Sequence, residues 1–444
     1  MAALFLALAF TPLKTVAQTS LTGKLQNYTA FQSYFGDELI VLRNRLRLAA
    51  SREVNDIIVT VEGDILSAHP DFNELDFRLR NAHAEFFTPT TDIRIGVQQV
   101  IWGQTNGGFI TDILTPVDLS EFLTIAQDDL RTGLLAFSAT RYIGNESLQL
   151  VVAPTLQPNL IPDSDSRWFP VQTVPDGVPN VFPIQFRGPD RTPTLRDVQA
   201  ALTYRWRPSL SFSADWMLYY WAHPQPAYSL DIRFPVVTND PGIFLTETYR
   251  TSPMAGYSLQ WTISDRFLLE SESLIVGEKP FTFLPVSVNR LREALEDPIV
   301  AAEVLQEFEL RDDGYLINKP WLQSMVGLQS TLLNTTVGVQ AAVEIILNYE
   351  SRLLPQKHFP YGTFFAQRTM LRDRLQLLAL TRYNFFGEDY WIRAEGTYEV
   401  TDGFEVAVGT NYFDGRSFNP FFGHFTFRQF RDDSFIFLRT SLFF

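Results

Sequence analysis

Residues 38–66 read ELIVLRNRLRLAASREVNDIIVTVEGDIL, and their alternation decides the fold. Ile40, Leu42, Leu46 and Leu48 fall on one face of an extended chain, and Arg43, Arg45 and Arg47 fall on the other. After a turn read at 50–54, Ile57, Val59, Val61 and Ile65 share a face opposite Asp56, Glu62 and Asp64. Period two is the signature of a strand. An arginine ladder therefore stands one hairpin away from a carboxylate ladder.

The theme recurs along the chain. Glu270 and Glu272 alternate with Leu269 and Ser271; Arg393 and Glu395 alternate with Ile392 and Ala394. Thr401-Asp402-Gly403 then reads as a hairpin turn before Phe404, Val406 and Val408. Many of these runs reach the roughly 9–11 residues that a tilted strand needs to cross a bilayer, longer than the five or six common in soluble sheets. In a membrane barrel the apolar face meets lipid and the polar face meets the lumen. The sequence thus predicts an all-β, antiparallel transmembrane β-barrel of the outer-membrane type, with about 16–18 strands. The expected pore lining is Arg43, Arg45, Arg47, Asp56, Glu62, Asp64, His83, Glu85, Arg94, Gln98, Arg141, Glu270, Glu272, Arg393 and Glu395.

Connection lengths support this reading. Short turns are read near 50–54, 88–91, 144–146, 207–208, 263–265, 332–334, 385–388 and 401–403. Long connections fall at 104–131, 157–195, 222–248, 278–318, 350–360 and 413–432. Outer-membrane barrels place short turns on the periplasmic side and long loops outside. Alternation on this plan needs a first strand near 22–32 and another near 361–370, and leaves both termini inside. The chain ends SFIFLRTSLFF, with Ile436, Leu438, Thr440, Leu442 and Phe444 on one face. This is the expected insertion signal for the outer-membrane assembly machinery.

Composition narrows the function. The chain has 444 residues, 36 basic against 50 acidic, a net charge of −14 and no cysteine. Only five of the basic residues are Lys, so the cations are nearly all permanently ionised arginines. An acidic chain without basic clusters argues against nucleic-acid binding. Lack of cysteine excludes disulfides, thiol catalysis and cysteine zinc sites. Residues 2–10, AALFLALAF, followed by Thr15-Val16-Ala17, read as a signal peptide over 1–17, with 18–444 as a single barrel. Nine apolar residues are too few for a spanning helix, which needs about 20.

Segment 104–131 is expected to fold inward as a constriction loop, with Trp102, Asp112, Asp118 and Glu121 at the passage. Thr115-Pro116 with Asp118 reads as the start of a helix there. The proline-dense stretch 157–195, bearing Trp168, Phe169, Phe182 and Phe186, reads as an ordered outer cap. Residues 287–310 read as two short helices, the second starting at Asp297-Pro298, with a solvated acidic face. No metal, phosphate-loop or calcium motif occurs, and His83 beside Glu85 is the nearest approach to a catalytic pair. No enzyme and no cofactor are expected.

One segment carries a family resemblance. It holds Leu79-Arg80-Asn81-Ala82-His83-Ala84-Glu85-Phe86, Asp92-Ile93-Arg94-Ile95-Gly96 with Gln98-Gln99, and Trp102-Gly103. Thr111-Asp112-Ile113-Leu114, Pro116-Val117-Asp118-Leu119 and Pro158-Asn159 continue it. These stretches resemble the outer-membrane proteins grouped as domain of unknown function 1302, distant relatives of alginate-export and porin barrels. The resemblance implies a channel or transporter in the outer membrane of a Gram-negative bacterium, often associated with lipid export. It supplies no catalytic residues. Expected partners are outer-membrane lipids and lipopolysaccharide, the assembly machinery, and a periplasmic lipid carrier with an inner-membrane exporter. The first functional reading is a channel for small polar or charged solutes. A conduit for a hydrophobic or lipid molecule and a soluble periplasmic β-protein are the alternatives.

Overall fold

The computed structural model describes residues 18–32, 38–68, 75–103, 110–126, 129–163, 166–169, 184–188, 197–233, 242–287, 290, 293–294, 297–308, 314–416 and 426–444. The expected signal peptide at 1–17, Phe182 in the outer cap, and Glu296 and Glu309 on the acidic face lie outside them.

The first strands are β1 (Gln18–Gln32), β2 (Leu39–Val54), β3 (Ile57–Ala68), β4 (Asp76–Thr88), β5 (Thr91–Gln98), β6 (Leu134–Ile143) and β7 (Glu146–Ala153). Next come β8 (Ile184–Arg187), β9 (Gln199–Ser209), β10 (Phe212–Ala222), β11 (Ala227–Arg233), β12 (Gly242–Thr248), β13 (Thr251–Ser264) and β14 (Phe267–Thr282). The chain closes with β15 (Leu316–Leu332), β16 (Thr335–Ile346), β17 (His358–Met370), β18 (Leu375–Asn384), β19 (Asp389–Thr401), β20 (Phe404–Gly415) and β21 (Phe435–Phe443). All but β8, β11 and β12 join one 18-stranded sheet, each strand antiparallel to its chain neighbour in the sheet. The sheet closes where β1 pairs with β21, from Lys24 opposite Phe443 to Gln32 opposite Phe435. Backbone bonds from Gly23 N–H to Phe444 O (2.7 Å) and from Phe444 N–H to Gly23 O (3.0 Å) complete the seam. Closure removes the free edges that an open sheet would leave in lipid.

The alternation sorts as a membrane requires. On β10, Trp216, Leu218 and Tyr220 are more than half exposed, while Met217, Tyr219 and Trp221 are buried. Leu21, Leu25, Val326, Leu328, Val339, Leu438 and Phe444 continue the exposed apolar belt. Such a belt contradicts a soluble protein, which rarely exposes contiguous apolar surface on this scale. On the terminal strand Ile436, Leu438, Leu442 and Phe444 are all exposed on the outer face.

Both ends of the described chain, Gln18 and Phe444, and eight short turns share one rim. Three turn positions differ from the sequence reading. The first turn is Asn55–Asp56, because β2 runs on to Val54. The next displaced one is 210–211, not 207–208. The short connection 385–388 lies on the opposite, long-loop rim, and its expected place is taken by 371–374. Strands also extend into the expected outer connections: β14 runs to Thr282, and 222–248 holds β11 and β12.

Above the long-loop rim, β8, β12 and β11 form a small separate sheet. It packs with helix α1 (Pro298–Phe308) through Leu230, Ile232, Ile243, Leu245, Ala301 and Val304. Asp297 Oδ1 accepts the Ile299 N–H (2.8 Å), so the expected start of this helix is where the sequence reads it.

Candidate functional site

The barrel interior holds the charged side chains and, crossing it, the segment between β5 and β6. Cross-strand register places Arg43, Arg45, Arg47, Glu62, Asp64, His83, Glu85, Arg94, Gln98, Glu270, Glu272, Arg393 and Glu395 on lumen-facing positions. Two expected lining residues are elsewhere. Asp56 is an exposed turn residue at the periplasmic rim. Arg141 pairs in register with Thr91, on the phase of the exposed Phe137 and Ile143, and so belongs to the outer face. Its Nη1 donates to Thr91 Oγ1 (3.0 Å) and to Thr90 Oγ1 at the rim, where an outward arginine costs only about 0–1 kcal/mol.

The inward loop is fixed to the β1–β4 wall by ion pairs. Asp129, 1% exposed at its side chain, pairs with Lys24 (2.9 Å), Arg47 (2.9 Å) and Arg45. Arg80 Nη1 donates to the Asp129 carbonyl (3.1 Å). Asp64, also buried, takes Arg47 Nε (2.6 Å) and faces Arg45 (3.6 Å). Glu62 receives Arg80 (3.2 Å) and Arg47 (3.5 Å). Further along the loop, Asp118 pairs with Arg78 and Glu121 with Arg43. Burial alone would push the Asp129 carboxyl up, but Arg45, Lys24 and Arg47 outweigh it and hold it well below the usual range. Asp112 is different: burial pushes it up, although Arg131 Nε lies 3.1 Å away and pulls the other way.

On the opposite side the loop is held mainly by packing. Trp102, Ile110, Ile113 and Leu114 are buried in one cluster with Met217, Tyr219, Trp221, Met254, Leu274 and Met325. Trp102 Nε1–H donates to Gln149 (2.7 Å), and Tyr219 O–H donates to the Thr111 carbonyl (2.9 Å). Glu272 accepts Ser258 Oγ–H (3.0 Å) and the Thr111 N–H (3.3 Å). Gly103, at φ +91°, sits where a Cβ would come within 2.7 Å of Glu272 Oε1. Phe122 and Leu123 reach a third cluster of Tyr28, Trp168, Phe413, Phe430, Phe435 and Phe437.

The expected helix at Thr115 does not form. Thr115 Oγ donates to the Val100 carbonyl (2.7 Å) and accepts its N–H (2.8 Å), so the hydroxyl ties two parts of the loop together and caps nothing. Val117 bridges Arg131, and Asp118 bridges Leu160 in the outer connection. One short 3-10 turn, Phe122–Thr124, is the helical element of the described loop. In the described part of the outer connection Trp168 and Phe169 are buried. His83 donates from Nδ1 to the Val97 carbonyl (3.2 Å), and Glu85 is taken by Arg94 (2.8 Å), so neither holds a nucleophile.

Sequence reasoning missed Lys24, Arg78, Arg80 and Asp129. The register shift between Glu62 and Gly63 moves the lumen phase on β4 from odd to even residues. Arg78 and Arg80 therefore reach the lumen on the same strand as His83 without sharing its parity. Asp129 lies in a loop, where no periodicity marks it.

No family model matches the chain, and no curated protein matches it. Solved structures do. Acinetobacter baumannii OccAB1 superposes with a TM-score of 0.53 at 8% identity, covering 96% of this chain and 95% of that one. Acinetobacter baumannii OccAB4 gives 0.51 at 9% identity, covering 98% and 99%. The outer membrane protein opdK of Pseudomonas aeruginosa gives 0.50 at 9% identity, covering 96% and 98%. At such identity the likeness is one of fold, over nearly the whole of each chain. The protein is an 18-stranded transmembrane β-barrel of the outer-membrane type, with its β5–β6 loop folded into the lumen.

Proposed function

We propose that the protein is an outer-membrane channel of a Gram-negative bacterium, passing small polar or charged solutes, and that it is not an enzyme. The observation carrying this reading is the loop: its carboxylates Asp118, Glu121 and Asp129 are ion-paired to wall arginines inside a barrel whose outside is apolar. A charged, partly filled lumen of this kind narrows a water path and sets its field. The shared fold with outer membrane protein opdK supports the location. The resemblance to the domain of unknown function 1302 barrels is the family assignment that goes with this reading.

A lipid conduit is less well supported. It needs apolar surface open to the lumen, whereas Trp102, Ile110, Ile113 and Leu114 are only 1–3% exposed. Reconstitution in planar bilayers tests the channel. Deleting 110–126 is expected to raise single-channel conductance; an unchanged value would refute the constriction. Absence of any solute-dependent swelling in proteoliposomes would refute the channel itself.

A further inference from the structure

The described wall arginines facing the loop are taken up by carboxylates, so they have little left to offer a solute. Among the described lumen-facing residues, an acid and an arginine without an ion pair lie on β16 and β18. Register brings Glu344 beside Gln323 and Phe359. One pair-row down lies Tyr361 beside Asn384, and the next holds Gln340, Thr363 and Arg382. All of these occupy lumen-facing positions.

Among the described residues, Arg382 has no ion pair. Its Nε donates to Asn384 Oδ1 (3.2 Å), and its guanidinium lies 3.9 Å over the Tyr361 ring, in the direction of the Glu344 row. Glu344 makes no ion pair and accepts no hydrogen bond among the described residues, and it is only partly buried. The nearby Lys279 does not neutralise it by contact. That ammonium is spent on Gln225 Oε1 (2.8 Å), His223 Nδ1 (3.4 Å) and the face of Trp321 (3.9 Å). Asp389, the other acid at this end of the wall, is buried, and its Oδ1 accepts from Asn384 (2.8 Å) and from the Phe427 N–H (2.9 Å). A cation and an acid, neither of them ion-paired, thus face the lumen on β18 and β16, on either side of β17. Gln323 and Tyr361 (3.4 Å apart) and the Gln340–Thr363 pair (2.6 Å) supply neutral polar groups around them.

We infer that Arg382 and Glu344 form a solute subsite for small zwitterions, Arg382 taking the carboxylate and Glu344 the ammonium. The inference rests on the channel reading and deepens it. A site that binds weakly from both ends speeds entry without trapping the solute. Charges held on opposite poles also discriminate against a solute of single charge, which leaves one partner unmatched.

Proteoliposome swelling with glycine, glycerol, glycolate and ethanolammonium tests it. Glycine is expected to enter about fivefold faster than glycerol, the effect of two partly exposed ion contacts, and faster than either singly charged solute. The double variant Arg382→Gln with Glu344→Gln should bring glycine down to the glycerol rate and leave glycerol unchanged. The charge swap Arg382→Glu with Glu344→Arg should restore the glycine advantage, which a merely structural role would not allow. Glycolate entering as fast as glycine, or a glycine advantage that survives the double variant, overturns the subsite while the channel stands. Failure of glycerol itself to enter overturns both.

Discussion

Replacing Asp129 by Asn isolates the latch that holds the inward loop. The carboxylate is almost fully buried and is shared by Lys24, Arg45 and Arg47. Substitution leaves three cations facing a neutral amide. Arg47 retains Asp64 (2.6 Å) and Glu62 (3.5 Å), and Arg45 retains Asp64 (3.6 Å), but Lys24 has no second carboxylate partner among the described residues. Removing one member of a buried ion cluster costs about 3–5 kcal/mol, because the orphaned charge keeps its desolvation penalty. The retained partners place the expected loss at the lower end, about 3 kcal/mol. It should appear as a lower temperature of heat-modified gel mobility in detergent, with a higher and noisier single-channel conductance as the loop loosens. Replacing Lys24 by Met in the same chain removes the orphaned cation and should recover about half of the loss. A variant with unaltered unfolding temperature and conductance would refute the latch. A double variant worse than the single one would refute the charge argument even if the loop moved.

Other consequences follow from the same geometry. Because the Asp129 carboxyl sits well below the usual range, its contribution is complete above the unfolded carboxylate value of about 3.9 and is lost only as pH falls below that, through the depressed folded value. Asp129 should therefore contribute nothing to any change in conductance between pH 7 and pH 5, and a pH response in that range that Asp129→Asn abolishes would contradict the assignment. Leu218→Arg puts a cation on the lipid face in the middle of β10 and should cost about 2–4 kcal/mol, whereas Arg141→Leu at the rim should change little; urea unfolding in lipid vesicles measures both. Gly96 has φ +125° and leaves only 2.3 Å between an added Cβ and the Ala82 carbonyl, so Gly96→Ala should lose upwards of 1 kcal/mol in the same assay, and a neutral result would show that the strand can shift to admit it.

The barrel was legible because alternation is a local property. Each strand declares its own two faces, and an arginine face and a leucine face cannot both meet lipid. What alternation does not declare is phase relative to the neighbouring strand. Arg141 reads like a lumen residue within β6 and proves otherwise only through its register against Thr91. Arg78 and Arg80 were lost to a single bulge. The turn at 371–374 was missed because Leu371, Arg372 and Asp373 all take positive φ without a glycine or proline to announce it. The Phe-Phe-Gly-Glu stretch at 385–388 looked like a turn, and it is one, but on the other rim. The loop's partners were illegible for a different reason: Asp129 and its cations are separated by about 50 to 100 residues, and only closure of the barrel brings them together.

The two anchors of the loop are unlike, and that difference has a consequence for transport. On the β9–β17 side the loop is packed by Trp102, Ile110, Ile113 and Leu114, which hold position without a field. On the β1–β4 side it is held by charges whose fields largely cancel within each pair. A ladder of arginines seen on a strand would suggest a strong pull on anions, yet each of Arg43, Arg45, Arg47, Arg78 and Arg80 is within ion-pair distance of a carboxylate. Paired charges at such short range act at a distance as dipoles, whose influence dies away faster than that of a free ion. The field felt by a passing solute is therefore set by the minority of wall charges without a contact partner. In the channel proposed above, selectivity follows from which charges the loop leaves unpaired, not from how many the strands present.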